Sequence, residues 1–167
     1  MTTIPYNRQA AVAYAREWAL RRNPRYYDFS NLGGDCTNFV SQCLFAGCGV
    51  MNYSPVYGWY YISAGQRTPS WSGNVYLYNF LTGNTSVGPY GVAVGPMPLT
   101  EQPADIQPGD VAQLQNEQGQ FYHSLLVVNT AGGITVASHS YDVYDKALTA
   151  YPAAAVRYIR ILGARTW

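Results

Sequence analysis

Cys36, His123 and His139 have the side-chain chemistry of a nucleophile and its base, in a chain with only three cysteines and two histidines. Cys36 follows Gly33-Gly34-Asp35 and opens the string Cys-Thr-Asn-Phe-Val-Ser-Gln-Cys-Leu. Counted from it, Phe39, Val40, Cys43 and Leu44 recur at the spacing of one helix face. Asp35 occupies the N-cap place, and Gly47 the place of a C-terminal stop. A thiol in the first turn of a helix meets unpaired N–H groups and the positive end of the helix dipole, which favours the reactive thiolate. The plainer alternative is packing, because cysteine is among the most often buried residue types. Cys43 and Cys48 are read that way, as core or near-surface thiols.

A thiol nucleophile needs a base, and imidazole suits that role near neutral pH. The base needs a third group to hold its ring and tautomer. Both histidines fall in a strongly β-like hairpin, Phe121 to Asn129 followed by Ile134 to His139. If Thr130-Ala131-Gly132 forms a three-residue loop, Asn129 pairs with Gly133 and His123 lies directly opposite His139, their Cβ atoms about 5 Å apart. A two-residue turn at Gly132-Gly133 instead sets His123 opposite Asp142. His139 and Asp142 are therefore the two candidates for the third position.

The elements that must carry these residues are legible in outline. Asn7 to Arg22 predicts a first helix with Ala11, Tyr14, Ala15 and Trp18 on its packing face, stopped by Asn23-Pro24. A loop with Tyr26, Tyr27 and Asp28 delivers the chain to Gly33-Gly34, where two glycines permit a sharp turn and close approach to a ligand. From Val50 to Pro103 the texture changes to Gly, Pro, Ser and Asn between aromatic residues, with one short helix over Trp71 to Leu81 and long loops otherwise. After Pro108-Gly109-Asp110 come four strand candidates: Val111 to Gln115, the two hairpin strands, and Ala154 to Leu162. Helices first and strands later, with short connections, predict an α+β fold with an antiparallel sheet.

Length and composition narrow the rest. A chain of 167 residues suffices for one domain with a proper core, and it is read as a single domain over 1–167. Charged residues are only 11% and the net charge is +1, without a basic run, which argues against nucleic acid as a partner. Tyrosine is abundant, with 16 residues beside four tryptophans. Rings with polar tips suit contact with peptides or sugars, so Tyr27, Trp59, Trp71 and Tyr122 are candidates to contact substrate. The alternative is a small satellite core. No Cys-x-x-Cys or His-x-x-x-His suggests a metal site, no cofactor is expected, and no apolar run is long enough to span a membrane. The N-terminus lacks the basic start and apolar run of a signal peptide, as would a domain cut from a longer exported protein.

Three segments also carry a family resemblance. Asn7-Arg8-Gln9-Ala10-Ala11-Val12 with Tyr14-Ala15 and Trp18, then Gly34-Asp35-Cys36-Thr37-Asn38-Phe39-Val40-Ser41-Gln42-Cys43-Leu44, then Tyr122-His123-Ser124 with His139, resemble the putative amidase domain family. That family stands among the papain-like cysteine hydrolases, beside the NlpC-like and CHAP cell-wall hydrolases. The resemblance spans nearly the whole chain. It implies a papain-like fold, Cys36 as nucleophile, His123 as general base and His139 as third polar residue. It also implies hydrolysis of an amide bond, with peptidoglycan peptides as the substrate; the compartment stays open, with the cell wall or the outside of the cell favoured if the domain is part of an exported protein. With that mechanism, the Cys36 N–H and a neighbour from the Gly34-Asp35 turn would hold the oxyanion. A non-catalytic module that binds cell-wall glycan or peptide through the Tyr- and Trp-rich segment is the rival expectation.

Overall fold

The computed structural model describes all residues, 1–167. Its helices are α1 (Arg8–Trp18), α2 (Cys36–Cys48), α3 (Pro69–Ser72) and α4 (Asn74–Gly83). The strands are β1 (Thr2–Ile4), β2 (Tyr61–Ser63), β3 (Gln66–Arg67), β4 (Gly88–Met97), β5 (Val111–Gln115), β6 (Phe121–Asn129), β7 (Thr135–Ser138), β8 (Val143–Ala147) and β9 (Ala155–Thr166). Seven strands form one antiparallel sheet in the order β1-β9-β5-β6-β7-β8, with β4 on the other edge of β9, and β2-β3 make a small separate ribbon. The architecture is α+β, as the order of elements predicts.

Strand alternation divides the sheet into two faces. On one, Leu126, Val128 and Ala137 pack against Ala15, Ala19, Phe39 and Cys43 of the first two helices and the turn after α1. Val111, Ile159 and Ile161 continue that face beneath Val40 and Leu44. On the other, Ala112, Leu114, Leu125, Val127, Val136 and Tyr158 form a second apolar layer closed by Ile106 and Leu148. α2 is buried almost all round, so its amphipathic stripe is only part of its contact surface.

Several elements depart from the sequence reading. α1 ends at Trp18, and Arg22 beyond it leaves the helix for the Asp28 and Asp142 carboxylates. α2 stops at Gly49, whose φ of 71° is the left-handed conformation of a helix end. Gly47 lies inside the last turn, where a Cβ would sit 2.4 Å from the Tyr6 ring, so its glycine serves close packing. The single helix expected over Trp71 to Leu81 is two, broken at Gly73. The region expected to be loops contains β2, β3 and the ten-residue β4, which pairs with β9 in spite of its glycines and prolines.

Trp59 and Trp71 are fully buried and do not line a groove. Their rings lie 4.7 Å apart, and their indole N–H groups donate to Ser41 Oγ and Asn38 Oδ1 on α2. The satellite-core alternative therefore applies to both: they brace the cysteine helix from behind.

Asp110 of the Pro-Gly-Asp turn closes a gap in the sheet. Along one edge of β9, pairing with β5 runs only as far as Ile159, and pairing with β1 resumes at Ala164. Between them, Ile161 N–H donates to Asp110 Oδ1 at 2.9 Å and Ile161 C=O accepts from Arg8 Nη2 at 2.7 Å. Arg8 and Asp110 are themselves joined at 2.7 Å, with the carboxylate fully buried. Removing one partner leaves the other uncompensated and strands the Ile161 N–H. Asp110→Ala should cost about 3 kcal/mol, seen as a fall of about 10 °C in Tm. A thermal melt shifted by less than about 2 °C would contradict this role.

Candidate functional site

The start of α2 is fixed by a buried contact. Asp35 does not cap the helix through its side chain. Its Oδ1 accepts from Phe29 N–H at 2.8 Å and Asn38 Nδ2 at 2.9 Å, and its Oδ2 meets His139 Nδ1 at 2.5 Å. His139 Nε2 donates to the Trp18 carbonyl at 2.8 Å, and the ring stacks on Phe39 with centroids 4.2 Å apart. Both nitrogens of His139 are thus engaged, and neither is free to take a proton from a thiol. Asp35 is likewise satisfied, but its charge still raises the pKa of the neighbouring Cys36 thiol.

The hairpin register places the histidines differently from either expectation. Leu126 pairs with Ala137 and Val127 with Val136, with a bulge before Asn129 pairs with Thr135. Continued along the strands, this sets Ser124, not His123, opposite His139. The connection spans five residues, 130–134, instead of two or three. Asp142 lies away from His123 and holds Arg22 at 2.8 Å and 3.1 Å. The group on His123 is Ser138: its Oγ lies 3.2 Å from His123 Nε2.

This contact defines the tautomer of His123. Ser138 Oγ lies 2.6 Å from the His139 carbonyl, to which it must donate its one proton. The 3.2 Å contact is therefore an Nε2–H donating to Ser138 Oγ. Nδ1 carries the lone pair and has no partner.

Cys36 and His123 meet the sheet at adjoining residues. Val127 exchanges hydrogen bonds with Gly109 and Asp110 on the β5 side. By alternation Ser124 directs its N–H and C=O to the β7 side, where pairing has ended at Leu126. The Ser124 backbone is close enough to the Cys36 sulfur to lower its pKa, and its C=O lies 3.4 Å from Ser138 Oγ. The thiol therefore enters the gap between β6 and β7 from the α2 side. The His123 ring and Ser138 approach the same gap from the opposite face. No hydrogen bond joins Cys36 directly to His123.

Cys36 is buried, with 7% of its surface exposed. Burial, aided by the Asp35 charge, pushes its pKa up, against the lowering effect of the Ser124 backbone and of Thr37. Burial, aided by the Lys146 charge, pushes His123 down to about 4. At neutral pH the pair consists of a neutral thiol and a neutral imidazole.

A polar network completes the site. Asn74 Oδ1 lies 3.8 Å from Cys36 Sγ and accepts from Thr37 Oγ1 at 2.9 Å and Ser124 Oγ at 2.5 Å. Gln113 joins it through Ser124 Oγ and the Asn74 carbonyl. None of Thr37, Asn74, Gln113, Ser124 and Ser138 stood among the expected site residues. Gln113 had a signal, a polar residue at an inward position of an apolar strand, whereas nothing marked Asn74. Tyr27 and Tyr122 keep 46% and 44% of their surface exposed, so both rings remain accessible. Gly34 has φ 106° with Ser140 Oγ against its inner side, and the same hydroxyl accepts from Asp35 N–H at 3.3 Å. The Asp35 amide is thereby committed within the fold. No cluster of three or more His, Cys, Asp or Glu is arranged to hold a metal ion.

Comparison with known proteins bears on this geometry. The family described as "Putative amidase domain" matches residues 5–161, which include every residue of the site. An uncharacterized protein of Bacillus subtilis (strain 168), YhbB, is 34% identical over 125 residues, which are 74% of this chain and 37% of that protein. The match thus spans little more than a third of that relative's length. No solved structure matches. With the family's span covering nearly all of α1 through β9, the chain belongs to the putative amidase domain family.

Proposed function

We propose that this chain is a cysteine-dependent amide-bond hydrolase of papain-like architecture, with Cys36 as nucleophile, His123 as general base and Ser138 as the group that orients the base. The observation that carries this reading is the shared gap between β6 and β7. The Ser124 backbone there is close enough to the Cys36 sulfur to lower its pKa, and the neighbouring His123 keeps Nδ1 unpartnered while Ser138 holds Nε2. The role first expected of His139 passes to Ser138, because His139 spends both nitrogens on Asp35 and Trp18.

The reaction runs from the neutral pair. His123 Nδ1 takes the thiol proton as the sulfur bonds to the amide carbonyl carbon and the C=O pair moves onto oxygen. Collapse of the tetrahedral species breaks the C–N bond, and His123 returns the proton to the departing amine. Water, deprotonated by the same imidazole, then cleaves the thioester and regenerates the thiol. The substrate class is a peptide of the bacterial cell wall, in keeping with the resemblance to cell-wall hydrolases. A glycan-binding module is less well supported, because burial of Trp59 and Trp71 removes its aromatic wall.

Incubation with defined muropeptides, followed by mass spectrometry, tests the assignment. Wild type should release new amino groups, Cys36→Ala none, and His123→Ala should be slower by about 10²- to 10⁴-fold. Ser138→Ala should fall between wild type and His123→Ala. Full activity in Cys36→Ala would end the proposal.

The protonation states give a second test. A thiol held above its ordinary value, beside an imidazole that protonates only near pH 4, has no thiolate–imidazolium pair at rest. Alkylation of Cys36 by iodoacetamide in the free protein should be slow at pH 5 and still rising above pH 9. A rate that stays on a plateau from pH 5 to pH 8 would show a preformed ion pair instead.

A further inference from the structure

The reaction proposed above leaves one group without a partner: the oxygen that gains charge as sulfur adds to the carbonyl. Two donors are normally aimed at such an oxyanion. The Cys36 N–H, at the first position of α2, is taken by no carbonyl or side chain. The Asp35 N–H expected beside it already donates to Ser140 Oγ. A second donor must come from elsewhere.

We infer that the side-chain amide of Asn74, through Nδ2, is that second oxyanion donor; the inference rests on the cysteine-hydrolase reading above. Its orientation follows from a chain of hydrogen bonds that begins at a group able only to donate. Arg157 Nε and Nη2 donate to Gln113 Oε1 at 2.9 Å and 2.8 Å. Gln113 Nε2 is thereby turned toward Asn74 C=O at 2.8 Å and Ser124 Oγ at 3.1 Å. Ser124 Oγ, accepting from Gln113, passes its own proton to Asn74 Oδ1 at 2.5 Å. Thr37 Oγ1 donates to the same oxygen at 2.9 Å. Oδ1 faces the network, so Nδ2 faces out of it.

Asn74 Nδ2 makes no hydrogen bond within the chain, and it is not among the buried unsatisfied atoms, so it retains contact with solvent. It shares a carbon with the oxygen that lies 3.8 Å from Cys36 Sγ, and therefore sits beside the sulfur. Two hydroxyls and an amide hold this group in place before substrate arrives. Such preorganisation is what makes an oxyanion donor effective, since no dipole must turn during the reaction. In the step itself, sulfur bonds to carbon, the π pair moves to oxygen, and Asn74 Nδ2–H and Cys36 N–H donate to that oxygen until the C–N bond breaks.

Two reagents separate this role from a merely structural one. Iodoacetamide alkylates by displacement of iodide and creates no oxyanion, whereas p-nitrophenyl acetate acylates through a tetrahedral oxyanion. Asn74→Ala should slow acylation of Cys36 by about 10²-fold and change alkylation by less than about threefold. Asn74→Asp retains an acceptor for Thr37 and Ser124 and removes the donor. Its added charge slows alkylation as well, so the ratio of acylation to alkylation is the readout, and it should fall as it does in Asn74→Ala. If both rates fall together in both variants, or neither falls, Asn74 is not an oxyanion donor. If wild type forms no acetyl adduct on Cys36 by mass spectrometry while alkylation proceeds, the hydrolase reading itself fails and takes this inference with it.

Discussion

The contact between Asp35 and His139 fixes where the cysteine helix meets the sheet. It joins the residue before α2 to the residue after β7, with both side chains buried. A buried carboxylate is costly unless its oxygens are satisfied, and here Phe29, Asn38 and His139 satisfy them. Because His139 also holds the Trp18 carbonyl, one imidazole ties together the end of α1, the start of α2 and the end of β7. The position of Cys36 follows from this knot: its neighbour on one side is clamped and its neighbour on the other, Thr37, is bonded to Asn74.

The same clamp opens the gap that the thiol enters. β7 ends at Ser138, and His139 turns toward α2 instead of continuing along β6. Ser140 and Tyr141 then adopt left-handed φ of 66° and 62°, bringing Ser140 Oγ to the Asp35 amide. Such conformations are uncommon for residues with a Cβ and mark a turn held by its surroundings. The cost is recovered in contacts to the helix start. Ser124, facing the vacated side, offers its backbone to the sulfur, and Ser138, last in β7, remains on the opposite face to hold His123. Separation of the two strands and convergence of the polar groups are one event.

The fold was legible where periodicity is strong and one-sided. β6 spans the residues that its β-branched and aromatic run marks, and α2 begins at the expected Cys36. The ends of elements were less legible because tertiary contacts decide them. Gly47 resembles a helix stop in sequence, yet Tyr6 from far along the chain makes it a packing glycine. β4 was hidden because its glycines and prolines read as loop, and only the partner β9 shows that they are tolerated at an edge. In the site, residue types were easier to read than pairings. A one-residue difference in register exchanges the two faces of a strand. The hairpin loop holds five residues, with Gly132 and Gly133 both at positive φ, so turn chemistry alone did not set the register. Hence His139 could be recognised as important but was given the wrong partner, and Ser138, one residue earlier, carries the contact to His123.

A repeated local design explains how a chain with so few charges spends two of them in its interior. Gly34-Asp35 and Gly109-Asp110 each place a glycine at positive φ before a fully buried aspartate. Each carboxylate accepts from a backbone N–H earlier in its own loop, Phe29 for Asp35 and Gln107 for Asp110. Each then meets distant groups that can carry positive charge, His139 and, at 3.7 Å, Arg22 for the first and Arg8 for the second. Such a carboxylate serves as a many-sided acceptor at a place where strands or helices fail to meet, and it replaces backbone pairing that the topology cannot supply. At Asp110 the missing pairing belongs to Ile161 in the sheet. At Asp35 it belongs to the loop that enters α2, so the device that mends the fold there also sets the thiol in place.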